Sequence, residues 1–334
     1  MPLFFIKPYT LLFFTTLMVG ILITLSSTNW LMIWMGLELT LYSFIPILLQ
    51  TTFNQEKEAA VKYFLTQALA SGLLLLGILV TNISPYLMIL PLFALAMKLG
   101  LAPFHFWLPS VMISMPWSMC WLLSTILKIG PMFLFIMMIE ASFQPVIAAI
   151  SAISVLVGGI GGLNQTQIRP LLAYSSISHM GWTIACAIVS PTMAMFYFTA
   201  YIFMVSAIMM TLNSMHSFIL SSSMNLLNAP KHLQLSFIIS MLSLSGLPPL
   251  FGFFPKLMVL LTLIQSNMTM LTIFLIIGAT INLFYYLKLL TSIFFSSSPK
   301  LPIYSISPKS NILGPFMTSL ASITAIVILS LYMF

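Results

Sequence analysis

The chain has 334 residues, of which 60% are hydrophobic and 4% are charged, with a formal net charge of +7 and a mean hydropathy of +1.13. Water-soluble domains carry about 25% charged residues, so this composition excludes a soluble protein and predicts a polytopic membrane protein. The apolar runs are long and do not alternate with polar residues, which favours membrane helices over a β-barrel of ~10-residue alternating strands.

Eleven segments reach the length of about 20 residues that a membrane-spanning helix needs. Short polar or proline-containing stretches separate them and mark the loops. The predicted fold is therefore an all-α polytopic membrane protein, with helices at residues 3–25, 27–50, 57–80, 84–108, 111–138, 143–164, 170–190, 193–221, 233–264, 269–295 and 311–333.

A glycine and proline pattern interrupts the fourth and the ninth of these helices. Residues 100–109 read Gly-Leu-x-Pro with a second proline at the end, and residues 246–255 repeat this spacing 146 positions later. Pro103 removes a backbone donor, so the helix must open there, and an open helix is tolerated in a bilayer only where protein or water satisfies it. Matching breaks in two halves point to the binding site of a transporter.

The two breaks divide the chain into halves of five helices. Residues 1–140 hold helices 1–5, residues 141–298 hold helices 6–10, and residues 299–334 hold a loop and helix 11. Because each half has an odd number of helices, we expect the two halves to be inverted repeats, each with a broken fourth helix.

The basic residues outside the membrane interior gather on one side of this map, and the opposite side holds only Glu140. By the positive-inside rule, the N-terminus faces the cytoplasm-equivalent compartment, and eleven spans place the C-terminus on the other side. Seven of the 11 basic residues lie on the N-terminal side: Lys7, Lys57, Lys62, Arg169, Lys231, Lys300 and Lys309.

Four charged residues fall well inside predicted helices: Glu38, Lys98, Lys128 and Lys256. Each costs about 3 kcal/mol at mid-bilayer, so we expect them to face the protein interior. A lysine and a carboxylate that pair or separate would form a two-state proton site, with structural ion pairing as the alternative. Lys288 is a weaker candidate, because it lies about two turns from the basic end of its helix and could extend to the membrane surface.

The candidate titratable residues are expected to lie in different surroundings. His179 could pass protons between lysines, because imidazole titrates near neutral pH; a hydrogen-bonded structural histidine is the alternative. Lys98 precedes its break, near the negative end of a half-helix, whereas Lys256 follows its break, near the positive start of the next half-helix. These positions predict a charged Lys98 and a more readily neutralised Lys256.

No motif for a nucleotide, flavin, iron–sulfur cluster or metal is present. The glycines of residues 158–162 lack the lysine of a phosphate loop, and close helix packing explains them better. No second histidine or cysteine stands three or four residues from His179. We therefore expect neither a cofactor nor a metal in this chain.

Six stretches resemble the antiporter-like membrane subunits of mitochondrial NADH:ubiquinone oxidoreductase (respiratory complex I). They follow the order of that family: residues 36–38, 58–68, 98–107, 161–167, 172–182 and 246–256.

The resemblance implies a multi-pass, proton-translocating subunit of the mitochondrial inner membrane, with its N-terminus in the matrix and its C-terminus in the intermembrane space. Its partners would be other complex I subunits, especially neighbouring antiporter-like subunits, and membrane lipid. The resemblance also implies that NADH oxidation and ubiquinone reduction occur on other subunits. Protons would move from the matrix to the intermembrane space. A stand-alone cation/proton antiporter and a structural spacer of the membrane arm remain alternatives.

The resemblance also suggests residue roles. Glu38 and Lys98 would form an in-membrane ion pair, Lys128 would be the central protonatable lysine, and Lys256 would connect towards the intermembrane space. Lys288 stands where the family allows Lys or Arg, which suits a permanently charged element. Ser110 occupies a position where the family often has an acid.

Overall fold

A computed structural model describes residues 8–50, 54–81, 88–214, 231–248 and 250–295. This part of the chain contains thirteen α-helices and no β-strand, which confirms the predicted all-α membrane fold. Seven of its helical segments are long and apolar enough to cross a membrane. The predicted helix 311–333 and the C-terminus lie outside the described residues.

The predicted helices 1–10 each correspond to one of these helices or to a pair of them. In chain order they are α1 (Pro8–Ser26), α2 (Trp30–Leu48), α3 (Asn54–Thr81), α4 (Ile89–Leu99), α5 (Trp107–Ser114), α6 (Trp117–Ser124), α7 (Ile126–Met137), α8 (Gln144–Leu163), α9 (Ile168–Ala187), α10 (Pro191–Ser214), α11 (Lys231–Ser245), α12 (Phe253–Gln265) and α13 (Thr269–Phe295).

Both predicted breaks are present, one between α4 and α5 and one between α11 and α12. Gly100 and Gly246 directly follow the interrupted helices and have φ angles of 75° and 81°. Glycine adopts this left-handed conformation without a steric penalty, and it commonly ends helices for that reason. The first break therefore begins at Gly100, three residues before the predicted opening at Pro103.

The predicted fifth helix, 111–138, corresponds to the span Trp117–Met137, but it begins later than predicted and is interrupted within. Residues 107–114 form α5, the second part of the broken fourth helix, and the extended backbone of Pro116 separates α5 from α6. A second interruption lies at Thr125, which has φ −117° and ψ −76° and divides α6 from α7. Lys128 follows in the first turn of α7.

Helix α9 lies at the centre of the described structure. All of its residues except Arg169 and Tyr174 are buried, and it contacts α5, α8, α10, α12 and α13. Because these helices shield α9 from lipid, its polar residues lie inside protein, where other side chains can satisfy them. This arrangement places His179 in the interior.

Candidate functional site

The charged residues predicted inside the membrane are buried in the protein. Their exposed fractions do not exceed 8%, so they face the interior and not the lipid: Glu38, Lys98, Lys128, His179 and Lys256. Lys288 differs, because it lies on the exposed face of α13 and apart from this group.

Lys98 of α4 and Lys128 of α7 line the same cavity, which we call the lysine cavity. Its volume is about 20 Å³, enough for about one water molecule. Thr40, Tyr63 and Gln67 contribute the other polar side chains of its wall. Both lysine side chains therefore border one small space.

Glu38 acts on this space without touching Lys98. Its carboxylate interacts electrostatically with Lys98 and with Tyr63, but no ammonium–carboxylate contact within 4.0 Å joins Glu38 to Lys98. The Oε1 atom of Glu38 is buried and has no hydrogen-bond partner in the structure. The direct ion pair that the resemblance implied is thus not formed here, and the carboxylate influences Lys98 from a longer distance.

Lys128 connects the lysine cavity to α9. Its Nζ atom donates a hydrogen bond of 3.3 Å to Oγ of Ser176. The Ser176 hydroxyl donates its own hydrogen to the carbonyl of Ala173 at 2.7 Å, which leaves its oxygen free to accept from the lysine. The central lysine therefore joins the first five predicted helices to the sixth to tenth.

His179 lies one turn after Ser176 and faces the same side of α9. Its Nδ1 atom and the Tyr197 hydroxyl are 2.9 Å apart. The ring lies beside the Leu244 carbonyl and interacts electrostatically with both Lys256 and Lys128. The imidazole is thus placed between two buried amines.

The amine of Lys256 binds backbone groups at the break that precedes this residue. Its Nζ atom donates hydrogen bonds of 2.8 Å to the carbonyl of Ser245 and 3.3 Å to the carbonyl of Leu244. These carbonyls end α11, and the last carbonyls of a helix have no partner within it. Lys256 thus lies in the first turn of α12, where it was expected, but its amine reaches back to the negative end of α11.

Several groups of this site were not singled out from the sequence. Tyr63 and Gln67 lie four residues apart on one face of α3. A polar pair on one face of an apolar helix indicates that this face meets a polar part of the interior. Tyr197 and the Leu244 carbonyl gave no such signal, since their roles depend on contacts between distant helices.

The described residues arrange four titratable groups in sequence. Lys98 and Lys128 line the lysine cavity, Lys128 contacts Ser176 one turn before His179 on α9, and the His179 ring and the Lys256 amine both lie at the Leu244 carbonyl.

The family model "NADH:quinone oxidoreductase/Mrp antiporter, TM" matches residues 27–282. Among relatives, "NADH-ubiquinone oxidoreductase chain 2" of Lumbricus terrestris is 38% identical over 292 residues, covering 86% of this chain and 87% of the relative. The protein of the same name from Genetta servalina is 40% identical over 300 residues, covering 84% of each. A chain of the solved structure "Respiratory complex I from Thermus thermophilus with bound Aureothin" has a TM-score of 0.84 and 24% identity, covering 97% of this chain and 79% of that one.

Proposed function

Because the chain belongs to the NADH:quinone oxidoreductase/Mrp antiporter transmembrane family, we propose that it translocates protons as a chain 2-type membrane subunit of respiratory complex I. It works with other complex I subunits, including neighbouring antiporter-like subunits, in the mitochondrial inner membrane. NADH oxidation and ubiquinone reduction take place on those other subunits. The observation that carries the proposal is the line of buried groups from Lys98 to Lys256.

A proton moves along this line by exchange between amines and imidazole. It enters the lysine cavity, binds Lys98, moves to Lys128, and passes beside Ser176 to His179. From His179 it reaches Lys256, whose ammonium is held by the carbonyls that the second break leaves unpaired. Release from Lys256 towards the intermembrane space completes the transfer.

Charge repulsion along the line supplies energy of the same order as the cost of the transfer. Moving one charge against 100 mV costs about 2.3 kcal/mol, and two like charges about 8 Å apart repel by roughly 2 kcal/mol at an effective dielectric constant of about 20. A change of charge at Glu38 or Lys98, caused by a neighbouring subunit, would therefore shift a proton from Lys128 towards Lys256.

The topology proposed from the sequence agrees with proton movement from the matrix to the intermembrane space. The two halves, 1–140 and 141–298, are inverted repeats. An equal offset of 146 positions supports this, because it separates the end of α4 from the end of α11 and the start of α5 from the start of α12. The N-terminus faces the matrix and residues 299–334 end in the intermembrane space, as the positive-inside rule indicates.

Substitution of Lys98 by methionine tests the function, because methionine keeps most of the side-chain volume and removes the charge. The assembled complex carrying Lys98→Met should pump fewer protons per NADH oxidised in sealed vesicles. Lys62→Met is the matched control, since Lys62 forms a surface ion pair with Glu58 at 2.7 Å, and it should leave the ratio unchanged.

An unchanged ratio in an assembled Lys98→Met complex would instead support a structural spacer. Proton transport by the purified chain alone, without the complex, would support a stand-alone antiporter.

A further inference from the structure

A second buried carboxylate lies at the start of α3. Glu56 is only 7% exposed, and its Oε2 atom is buried without a hydrogen-bond partner in the structure. It interacts electrostatically with Arg169 at the start of α9. A carboxylate buried without full hydrogen bonding is costly, so this position needs an explanation.

Arg169 is held by other groups and does not satisfy Glu56. It donates a hydrogen bond of 3.1 Å from Nη1 to the carbonyl of Ile113, and its guanidinium lies 5.0 Å from the ring centre of Trp117. Its Nε atom is buried and has no partner in the structure. The two charges thus attract each other across the helix ends while each retains an unsatisfied atom.

Helix geometry connects Glu56 to the lysine cavity. Tyr63 and Gln67 follow Glu56 by 7 and 11 residues, so the three side chains lie on one face of α3. Along the helix axis, Tyr63 is about 10 Å and Gln67 about 16 Å from Glu56. Tyr63 and Gln67 line the lysine cavity. Between them and Glu56 lie the buried residues Ala59 and Ala60, which carry no group that could hold a proton, so transfer across this part of the face would need water.

We propose that Glu56 is the residue through which protons enter the lysine cavity. This inference rests on the proposed function. A hydronium ion outside the membrane gives its proton to the Glu56 carboxylate and becomes water. The carboxylic acid then releases the proton through water beside Tyr63 and Gln67 to the neutral amine of Lys98, which becomes an ammonium. Glu56 returns to a carboxylate, which Arg169 attracts until the next proton arrives.

Glu56→Gln tests the proposal, with Glu58→Gln as its matched control. Both remove one carboxylate from the same end of α3, but Glu58 lies on the exposed surface beside Lys62. We expect Glu56→Gln to slow proton delivery through this subunit roughly 100-fold or more, as loss of a positioned proton donor does. Protons pumped per NADH oxidised should fall to the value of Lys98→Met, while Glu58→Gln should match the unaltered complex.

Two further variants separate proton exchange from packing. Glu56→Asp keeps the carboxyl group and should retain most of the ratio, whereas an equal loss in Glu56→Asp and Glu56→Gln would overturn the proposal. Tyr63→Phe keeps the ring contacts with Phe44 and Trp107 and removes only the hydroxyl. If Glu56→Gln does not assemble, the proposal requires a lowered ratio in Tyr63→Phe, and an unchanged ratio would overturn it.

Comparison with Lys98→Met shows whether a negative result refutes only the entry role of Glu56 or also the proposed function. A normal ratio in Glu56→Gln together with a lowered ratio in Lys98→Met would remove the entry role and leave the proposed function standing. A normal ratio in Lys98→Met would remove the proposed function and the entry role with it.

Discussion

At the scale of single residues, the second break brings a glycine and a lysine into close contact. A Cβ atom at Gly246 would lie 2.9 Å from Nζ and 3.0 Å from Cδ of Lys256. Gly246 thus has two functions: it ends α11 with a positive φ, and it leaves room for the ammonium to reach the carbonyls of Leu244 and Ser245.

Gly246→Ala should therefore impair both stability and pumping. The left-handed backbone costs a non-glycine residue about 1–3 kcal/mol, and the added methyl group displaces the ammonium from its carbonyl partners. We expect a lower melting temperature of the assembled complex and fewer protons per NADH oxidised. An alanine variant with both quantities unchanged would show that the close contact with Lys256 does not matter.

The sequence predicted four of the buried charges but not Glu56, and it did not predict what they contact. Glu38, Lys98, Lys128 and Lys256 stand out because a charge inside an apolar segment is costly wherever the helix packs. Their contacts depend on residues far along the chain, as with Lys128 and Ser176. The contacts of the Lys256 amine were not predicted, because a long flexible side chain can extend past its own helix to the end of the preceding one.

At the scale of helices, glycines set how closely α8 packs against its neighbours. A Cβ atom at Gly158 would lie 2.7 Å from the Tyr174 carbonyl and 2.8 Å from the backbone nitrogen of Ser178. Gly162, one turn later, meets the ring of Tyr285 on α13. Small residues four apart permit such close approach of membrane helices, so the helix-packing role predicted for residues 158–162 is confirmed.

Gly158→Ala should separate α8 from α9 and disturb His179, which directly follows Ser178. Overpacking of this kind typically costs about 1–3 kcal/mol, so we expect less assembled complex and a lower melting temperature. Gly72→Ala on α3 is the matched control, because a Cβ atom there meets no atom within 4 Å, and alanine favours helix by about 1 kcal/mol. Equal effects of the two substitutions would contradict this account of helix packing.

The breaks were predictable from the sequence because glycine and proline act locally on the backbone. The interruption at Thr125 was not, since no glycine or proline stands there and the nearest following proline is Pro131. Its conformation is set by how α6 and α7 pack against other helices. This missed interruption matters, because Lys128 lies in the turn that follows it.

At the scale of the whole molecule, the proposed proton route connects helices that lie far apart in the chain. Lys98 and Lys128 belong to the first five predicted helices, whereas Ser176, His179 and Lys256 belong to the next five. The hydrogen bond from Lys128 to Ser176 joins the two groups. On the proposed route, every proton would therefore pass Lys128.

The most direct test of this account is the number of protons pumped per NADH oxidised by sealed vesicles containing the assembled complex with Lys128→Met. Methionine removes the amine that links the lysine cavity to α9 and keeps a side chain of similar size. The account predicts a reduced ratio, with Lys62→Met unchanged under the same conditions. A fully assembled Lys128→Met complex that pumps the normal number of protons would contradict it.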